Sequence, residues 1–299
     1  MKILVTGASG FIGSSLVSFL AAGGHTVTRL VRREADARRG EVGWDPDAGT
    51  LDAAKIEGHD AVVHLAGESV AAGRWTEKRK ARIRGSRTRG TTLLAERLAG
   101  LAGKPGALIS ASAIGYYGNR GDEILREDSA PGKGFLADVT QAWEAAAEPA
   151  GKAGIRVVQL RFGIVLGPGG GALAKMVPAF RWGVGGRLGD GRQYMSWIAM
   201  DDAIAAIHHV LSSTDLSGPV NVTAPEPVTN ARFTKTLGRV LSRPAFLPVP
   251  ALALRLAFGE MADETLLASS RVIPARLLER GFAFRDPDLE GGLRRALGR

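Results

Sequence analysis

Gly7, Gly10 and Gly13 stand at three-residue spacing, directly after the apolar run Ile3-Leu4-Val5. Phe11, Ile12, Leu16, Val17 and Leu20 follow at helical spacing. Strand, glycine turn and helix in that order form an anion-binding unit. Glycine lets the backbone approach a diphosphate, and the first helical N–H groups point at its charge. Gly7, Ser9, Gly10, Phe11, Ile12 and Gly13 are therefore expected to cradle a dinucleotide. The next apolar run, HTVTRLVRR, ends in Val31, Arg32 and Arg33. An acid at the end of the second strand accepts a ribose 2′-hydroxyl, whereas an arginine pairs with a 2′-phosphate. Arg32, with no acid before Glu34, predicts NADP rather than NAD, with Val31 beside it.

Proton chemistry is harder to place. The segment ALISASAIGYYG (Ala107–Gly118) brings Ser110, Ser112, Tyr116 and Tyr117 close together. A tyrosine exchanges protons near neutral pH only if a neighbour lowers its pKa from about 10. Tyr116, Tyr117 and Tyr194 are the only tyrosines, and none has a lysine four residues later. Lys133 and Lys175 are the candidate activators. His64, in DAVVHLAGES, is a lone histidine in a buried run and reads as a satisfied core residue.

The elements that must position these groups alternate short apolar runs with longer amphipathic stretches, as βαβ units do. Strands are expected at 2–6, 26–31, near 42–44, and at 60–66, 107–112 and 155–161. Helices are expected at 11–22, 76–100 and 135–152. The segments GIVLGPGGGAL and RWGVGGRLGDGRQ read as glycine-rich loops. Ile198–Leu211 reads as a strand end and a helix capped at Asp201 or Asp202. Gly218–Thr223 reads as a strand, and helical segments punctuated by Pro244, Pro248 and Pro250 follow Asn230. The fold class expected is α/β: a Rossmann doubly wound parallel sheet with helices on both faces, plus a small, mostly helical C-terminal substrate lobe. The expected division is 1–165 for NADP, with a return contribution from about 195–225, and 166–299 for the substrate lobe.

Composition narrows the classes. At 299 residues and 45% apolar content, a sizeable core is available and wholesale disorder is excluded. With no cysteine, the chain has no thiolate catalysis and no cysteine metal site; no metal site is expected. Net charge is +9, densest in Arg74–Arg89, but no nucleic-acid module accompanies it. No nucleic-acid partner is expected. No apolar run is long enough to span a bilayer, so no membrane partner is expected. No charged-then-apolar leader is evident, so the expected location is cytoplasmic. Monomer and homodimer both remain open.

TGASGFIG, HLAGES, RWTEKRKARIRGSRTRGT, SAIGYYG, QAWEAAA, LRFGIVLGPGGGAL, QYMSWIAMDD and SSRVIPARLLERGFAF together resemble the atypical, extended short-chain dehydrogenase/reductases labelled "epimerase family protein". The resemblance runs from residue 1 to about 297. It implies an NADP-binding protein with a C-terminal lobe that closes over a small-molecule substrate. It places the backbone of Leu65, Ala66 and Gly67 along the adenosine and ribose. Arg87, and more weakly Arg82, fall on the helix that passes the cofactor, and Val165 lies beside the nicotinamide. Ser110 and Ser112 both fall near the family's serine slot, and Ser112 fits it better. The family's Tyr-x-x-x-Lys pair is missing: Leu136 and Thr140 occupy those slots when Glu144 is aligned with the acid beyond the lysine. Tyr116 and Tyr117 are the substitutes expected to act with Ser112. Gln193, Ser196 and Trp197 match a stretch that approaches substrate, Trp197 reading as core, with Arg187 and Arg192 placed to receive an anion. Three functions stay open: an NADP-dependent oxidoreductase on a small carbonyl or hydroxyl compound, a non-enzymatic NADPH sensor, and a nucleotide-sugar epimerase or dehydratase.

Overall fold

The computed structural model describes residues 1–71 and 73–299. Its strands are β1 (Lys2–Thr6), β2 (Thr26–Val31), β3 (Glu41–Asp45), β4 (Thr50–Leu51), β5 (Ala61–His64), β6 (Ala107–Ala113), β7 (Ile124–Leu125), β8 (Arg156–Phe162), β9 (Ile164–Leu166), β10 (Tyr194–Met195), β11 (Trp197–Ala199), β12 (Gly218–Val222), β13 (Val228–Thr229) and β14 (Arg271–Val272). Its helices are α1 (Phe11–Ala22), α2 (Glu77–Ala99), α3 (Phe135–Ala145), α4 (Glu148–Lys152), α5 (Gly171–Arg181), α6 (Met200–Ser212), α7 (Asn230–Leu241), α8 (Ala251–Phe258), α9 (Ala275–Glu279) and α10 (Leu289–Leu297).

The main sheet runs β12-β8-β6-β5-β1-β2-β3-β4, parallel except for the β3–β4 hairpin. Alternate residues of each strand feed opposite faces, which is why these strands read as continuous apolar runs. Ile3 and Val5 join Leu16, Leu20 and Ile207 under α1 and α6. Leu4 and Val62 join Leu94 and Leu98 under α2. Both faces are covered, as expected for the Rossmann class. A further core unites Trp197 with Phe233 and Leu237 of α7 and Leu289 and Leu293 of α10, and this holds the C-terminal lobe.

Three expectations require correction. The helix read over 135–152 is two helices, α3 and α4, broken at Ala146–Ala147 with Pro149 in the first turn of α4. Proline has no N–H to continue a preceding helix and suits a first turn. The glycine-rich segment after Gly163 does not stay a loop: α5 starts at Gly171, because Leu173, Val177 and Phe180 bury one helical stripe. Helix α6 is not capped by Asp201 or Asp202. Its N-cap is Ala199, and the Asp202 carboxylate instead accepts the amides of Arg285 (2.8 Å) and Asp286 (2.9 Å).

Candidate dinucleotide and catalytic site

The chain leaves β1 toward β2 on one side and β5 toward β6 on the other, so a crevice opens at the carboxyl ends of β1 and β5. Gly7 closes the turn there with φ +67°, and a Cβ on it would lie 2.8 Å from the Leu65 carbonyl carbon. A side chain is thus excluded by both conformation and contact. The Gly10 amide donates to the Gly7 carbonyl at 2.9 Å, which shapes the turn. Helix α1 then begins with no side-chain cap and no acid in its first turn. Its leading N–H groups are left for an anion. A Cβ on Gly171 would come within 2.7 Å of the Phe11 ring, so the second glycine-rich segment lies against this turn.

A buried polar chain supports the turn from beneath. Thr6 Oγ1 accepts the amides of Leu65 (3.1 Å) and Ala66 (3.2 Å), so its proton goes to His64 Nδ1 at 2.7 Å. His64 Nε2 must then carry the hydrogen, which it donates to Thr91 Oγ1 at 2.9 Å. Thr91 Oγ1 also accepts from Trp143 Nε1 at 3.0 Å. Full burial pushes the His64 pKa down to about 4, so the ring is neutral. This is the core role read from the sequence.

The arginines around the crevice divide sharply. Arg33 forks onto Glu41 (2.8 and 2.5 Å). Arg32 is exposed and takes part in no ion pair among the described residues. Arg82 is half committed, paired with Glu68 at 2.9 Å. Arg87 packs on the Gly67 turn, stacks on Trp143 and donates to the Ile83 carbonyl at 3.1 Å. Burial lowers its pKa to about 10, and no carboxylate is ion-paired with it among the described residues. A partly desolvated cation outside any ion pair among the described residues and an uncapped helix start both fit a bound phosphate group. Ser9 is exposed beside Gly10, Ile12 is half-buried on α1, and Gly13 sits so close to the Gly7 carbonyl that a Cβ cannot be placed there. Val31 closes β2 beside Arg32, and Val165 is buried in β9, paired with Ile198.

The proton-transfer side looks different. In α3, Leu136 packs on Gly115 and Thr140 donates to the Leu136 carbonyl at 2.8 Å, so neither slot offers an acid or a base. Ser112 donates to Glu144 Oε1 at 2.6 Å. Glu144 is forked by Arg161 Nε and Nη2, both at 2.8 Å. Arg161 Nη1 reaches the Tyr117 hydroxyl at 2.9 Å, and that hydroxyl donates to Asn221 Oδ1 at 2.7 Å. Burial alone would lower the Arg161 pKa, but Glu144 holds it raised and the group charged. Burial also pushes Tyr117 up to about 12, outweighing the Arg161 charge. Tyr117 is fully enclosed, its hydroxyl accepting from Arg161 and donating to Asn221. Tyr116 is half-buried and lays its ring over Arg161, 3.4 Å from ring centre to guanidinium carbon. Lys175 donates to the Ala71 carbonyl instead of approaching it, and Lys133 is exposed.

Other predicted residues are placed elsewhere. Ser110 is buried within β6, its hydroxyl turned to the Ala111 carbonyl. The Gln193 amide donates to the carbonyls of Leu188 (3.1 Å) and Leu266 (3.0 Å), so it clamps backbone. Ser196 ties β11 to β14 through Ser270 and Val272, and Trp197 is core, as read. Arg187 and Arg192 are exposed. Glu144, Arg161 and Asn221 were missed. The available signal was Arg161 in VVQLRFGIV: a charge inside a buried strand requires a buried partner.

A crevice above the glycine turn at the β1–β5 switch point, in a doubly wound sheet with a helical C-terminal region, defines an extended short-chain-dehydrogenase architecture. The chain belongs to the NAD dependent epimerase/dehydratase family, whose description matches residues 3–223; a domain of unknown function, DUF1731, matches residues 249–296. The chain is 46% identical over 284 residues to epimerase family protein Mb2239 of Mycobacterium bovis, covering 94% of this chain and 93% of that one. It superposes on the crystal structure of human epimerase family protein SDR39U1 with NADPH at a TM-score of 0.92, with 35% identity and all of both chains covered. MoeE5, solved with UDP-glucose and NAD, shares the fold (TM-score 0.80, 23% identity).

Proposed function

We propose that this protein binds NADPH in the β1–β5 crevice and acts as an oxidoreductase on a small carbonyl or hydroxyl compound. The observation that carries the NADPH reading is the division of labour between neighbouring arginines. Arg33 is spent on Glu41, and Arg32 is left to face a 2′-phosphate. The cradle is Gly7, Ser9, Gly10, Phe11, Ile12 and Gly13, with Leu65, Ala66, Gly67 and Val165 along the nucleoside ends and Arg87 on phosphate. NADPH in the human relative's structure supports this reading. The division of the chain at about residue 165, with 195–225 returning to the sheet, belongs to it as well.

The bound cofactor would supply the hydride. Tyr116 is then the candidate proton donor, because it is half-buried rather than enclosed and lays its ring over the Arg161 guanidinium. Ser112 is a positioning hydroxyl held by Glu144. Arg187 is the remaining candidate for an anionic substrate group. A second reading, an NADPH binder without turnover, draws on the same slot: Ser112, Glu144, Arg161 and Tyr117 are already satisfied by one another.

NADPH and NADH titrations followed by nucleotide fluorescence, then a carbonyl panel, test both. Oxidation of NADPH by any panel member that Tyr116→Phe abolishes supports the reductase. Tight binding with no oxidation across the panel favours the non-turnover binder. Failure to bind NADPH overturns the whole reading.

A further inference from the structure

The end of α5 and the segment 243–250 run side by side. Arg243 Nε donates to the Arg181 carbonyl at 3.3 Å, and the Val249 amide donates to the Arg187 carbonyl at 2.8 Å. Helix α8 starts immediately after Pro250. On this joined edge Trp182 is 84% exposed, Phe246 75%, Leu256 70%, Leu252 66%, Val184 55% and Leu247 44%. Isolated exposed leucines need no explanation, but large apolar side chains gathered on one edge do. Leu252 and Leu256 are one helical turn apart and point the same way. Pro244, Pro248 and Pro250 each fix their own φ in the segment that carries Phe246 and Leu247.

The occupant can be chosen from shape and charge. Side chains this exposed project outward, and two clefts lie away from them, beside Tyr194 and Arg271 and beside Lys235. Arg181 and Arg243 flank the aromatic pair and take part in no ion pair among the described residues. The nearby acids Asp263 and Glu260 are already paired, with Arg255 and Lys80. A convex apolar edge flanked by uncompensated arginines matches the boundary between lipid headgroups and acyl chains.

We propose that this edge docks peripherally on an anionic lipid surface, with Trp182 and Phe246 at the headgroup boundary and Arg181 and Arg243 on lipid phosphates. The expectation of no membrane partner followed from the lack of a span. Among the described residues no helix is long and apolar enough to cross a membrane, and adsorption needs none. Helix α5 runs from the phosphate turn at Gly171 to Trp182, so docking would set the crevice about 16 Å from this edge.

Co-sedimentation of the full chain with phosphatidylcholine vesicles, with and without about 30% phosphatidylglycerol, tests this. The expected result is binding to the anionic vesicles only. Trp182→Ser and Phe246→Ser should each weaken the partition about tenfold, and Arg181→Glu with Arg243→Glu by a similar factor. Unchanged circular dichroism and thermal midpoint in each variant confirm that the fold is intact. Absence of vesicle binding overturns the proposal. So does binding indifferent to Trp182→Ser and Phe246→Ser, which is adsorption by net charge alone. Self-association abolished by Phe246→Ser, without vesicle binding, assigns the edge to a second copy instead.

Discussion

Around the β1–β5 turn, a helix start and two arginines stand outside any side-chain cap or ion pair among the described residues. Helix α1 is uncapped, Arg32 is outside any ion pair among the described residues, and Arg87 is half-buried without an ion-paired carboxylate among them. Around β6 and α3 the reverse holds. Ser112, Glu144, Arg161, Tyr117 and Asn221 form one closed series of hydrogen bonds, and Thr140 turns back on its own helix. The first region presents an exposed arginine and an uncapped helix start, and a ligand held there only by the folded chain stabilises it by mass action. The second stores satisfied charge, which stabilises the fold and leaves Tyr116 as the candidate for proton transfer. The β1–β5 turn is built chiefly from backbone that glycine permits, whereas the β6–α3 slot is built from side chains.

Breaking the closed side should cost the most stability. Glu144→Gln strips a carboxylate from Arg161, whose side chain is 3% exposed. A loss of about 3–5 kcal/mol in urea denaturation is expected, as for other buried pairs broken on one side. On the open side, Gly7→Ala must adopt φ +67° and meet the Leu65 backbone. NADPH affinity should fall by about a hundredfold or more in a fluorescence titration.

Acid sharpens the contrast within the support chain. The His64 pKa is about 4 in the fold against 6.5 in the unfolded chain, so the unfolded state binds the extra proton. Its contribution is complete above pH 6.5 and is lost as pH falls toward about 4, reaching about 3 kcal/mol. Urea midpoints measured across that window should fall with acid, and His64→Gln should flatten the slope.

Arg32→Asp should weaken NADPH by about ten- to a hundredfold while sparing NADH. Equal loss of both nucleotides would remove the 2′-phosphate assignment. The smallest effect belongs to Arg87→Met, which removes a desolvated cation: apo stability should rise by about 1 kcal/mol while NADPH affinity drops. A fall in both would make Arg87 structural.

The open region was legible in the sequence because glycine spacing and a strand-end arginine report backbone geometry within short segments. The bounds of α1 match the reading at both ends. The closed region was legible only as a deficiency, the missing tyrosine and lysine. Its replacement joins residues 112, 144, 161 and 221, which meet only after β6, β8 and β12 align in the sheet. The α6 cap failed for a similar reason, since Asp202 serves a segment more than eighty residues away. Tyr116 and Tyr117 are neighbours of the same type, and only tertiary packing separates them.

The start of α3 carries a consequence for how the C-terminal lobe can be watched. Glu264 accepts the amides of Phe135 (2.9 Å) and Leu136 (3.0 Å), so a residue from one end of the chain closes a helix from its middle. Those two amides are local gauges of the lobe. Whenever the 262–266 turn lifts away, they lose their acceptor and become exchangeable with solvent deuterium, while the amides deep in the main sheet stay protected. Opening of the lobe, which no static picture records, would thus be timed by two protons.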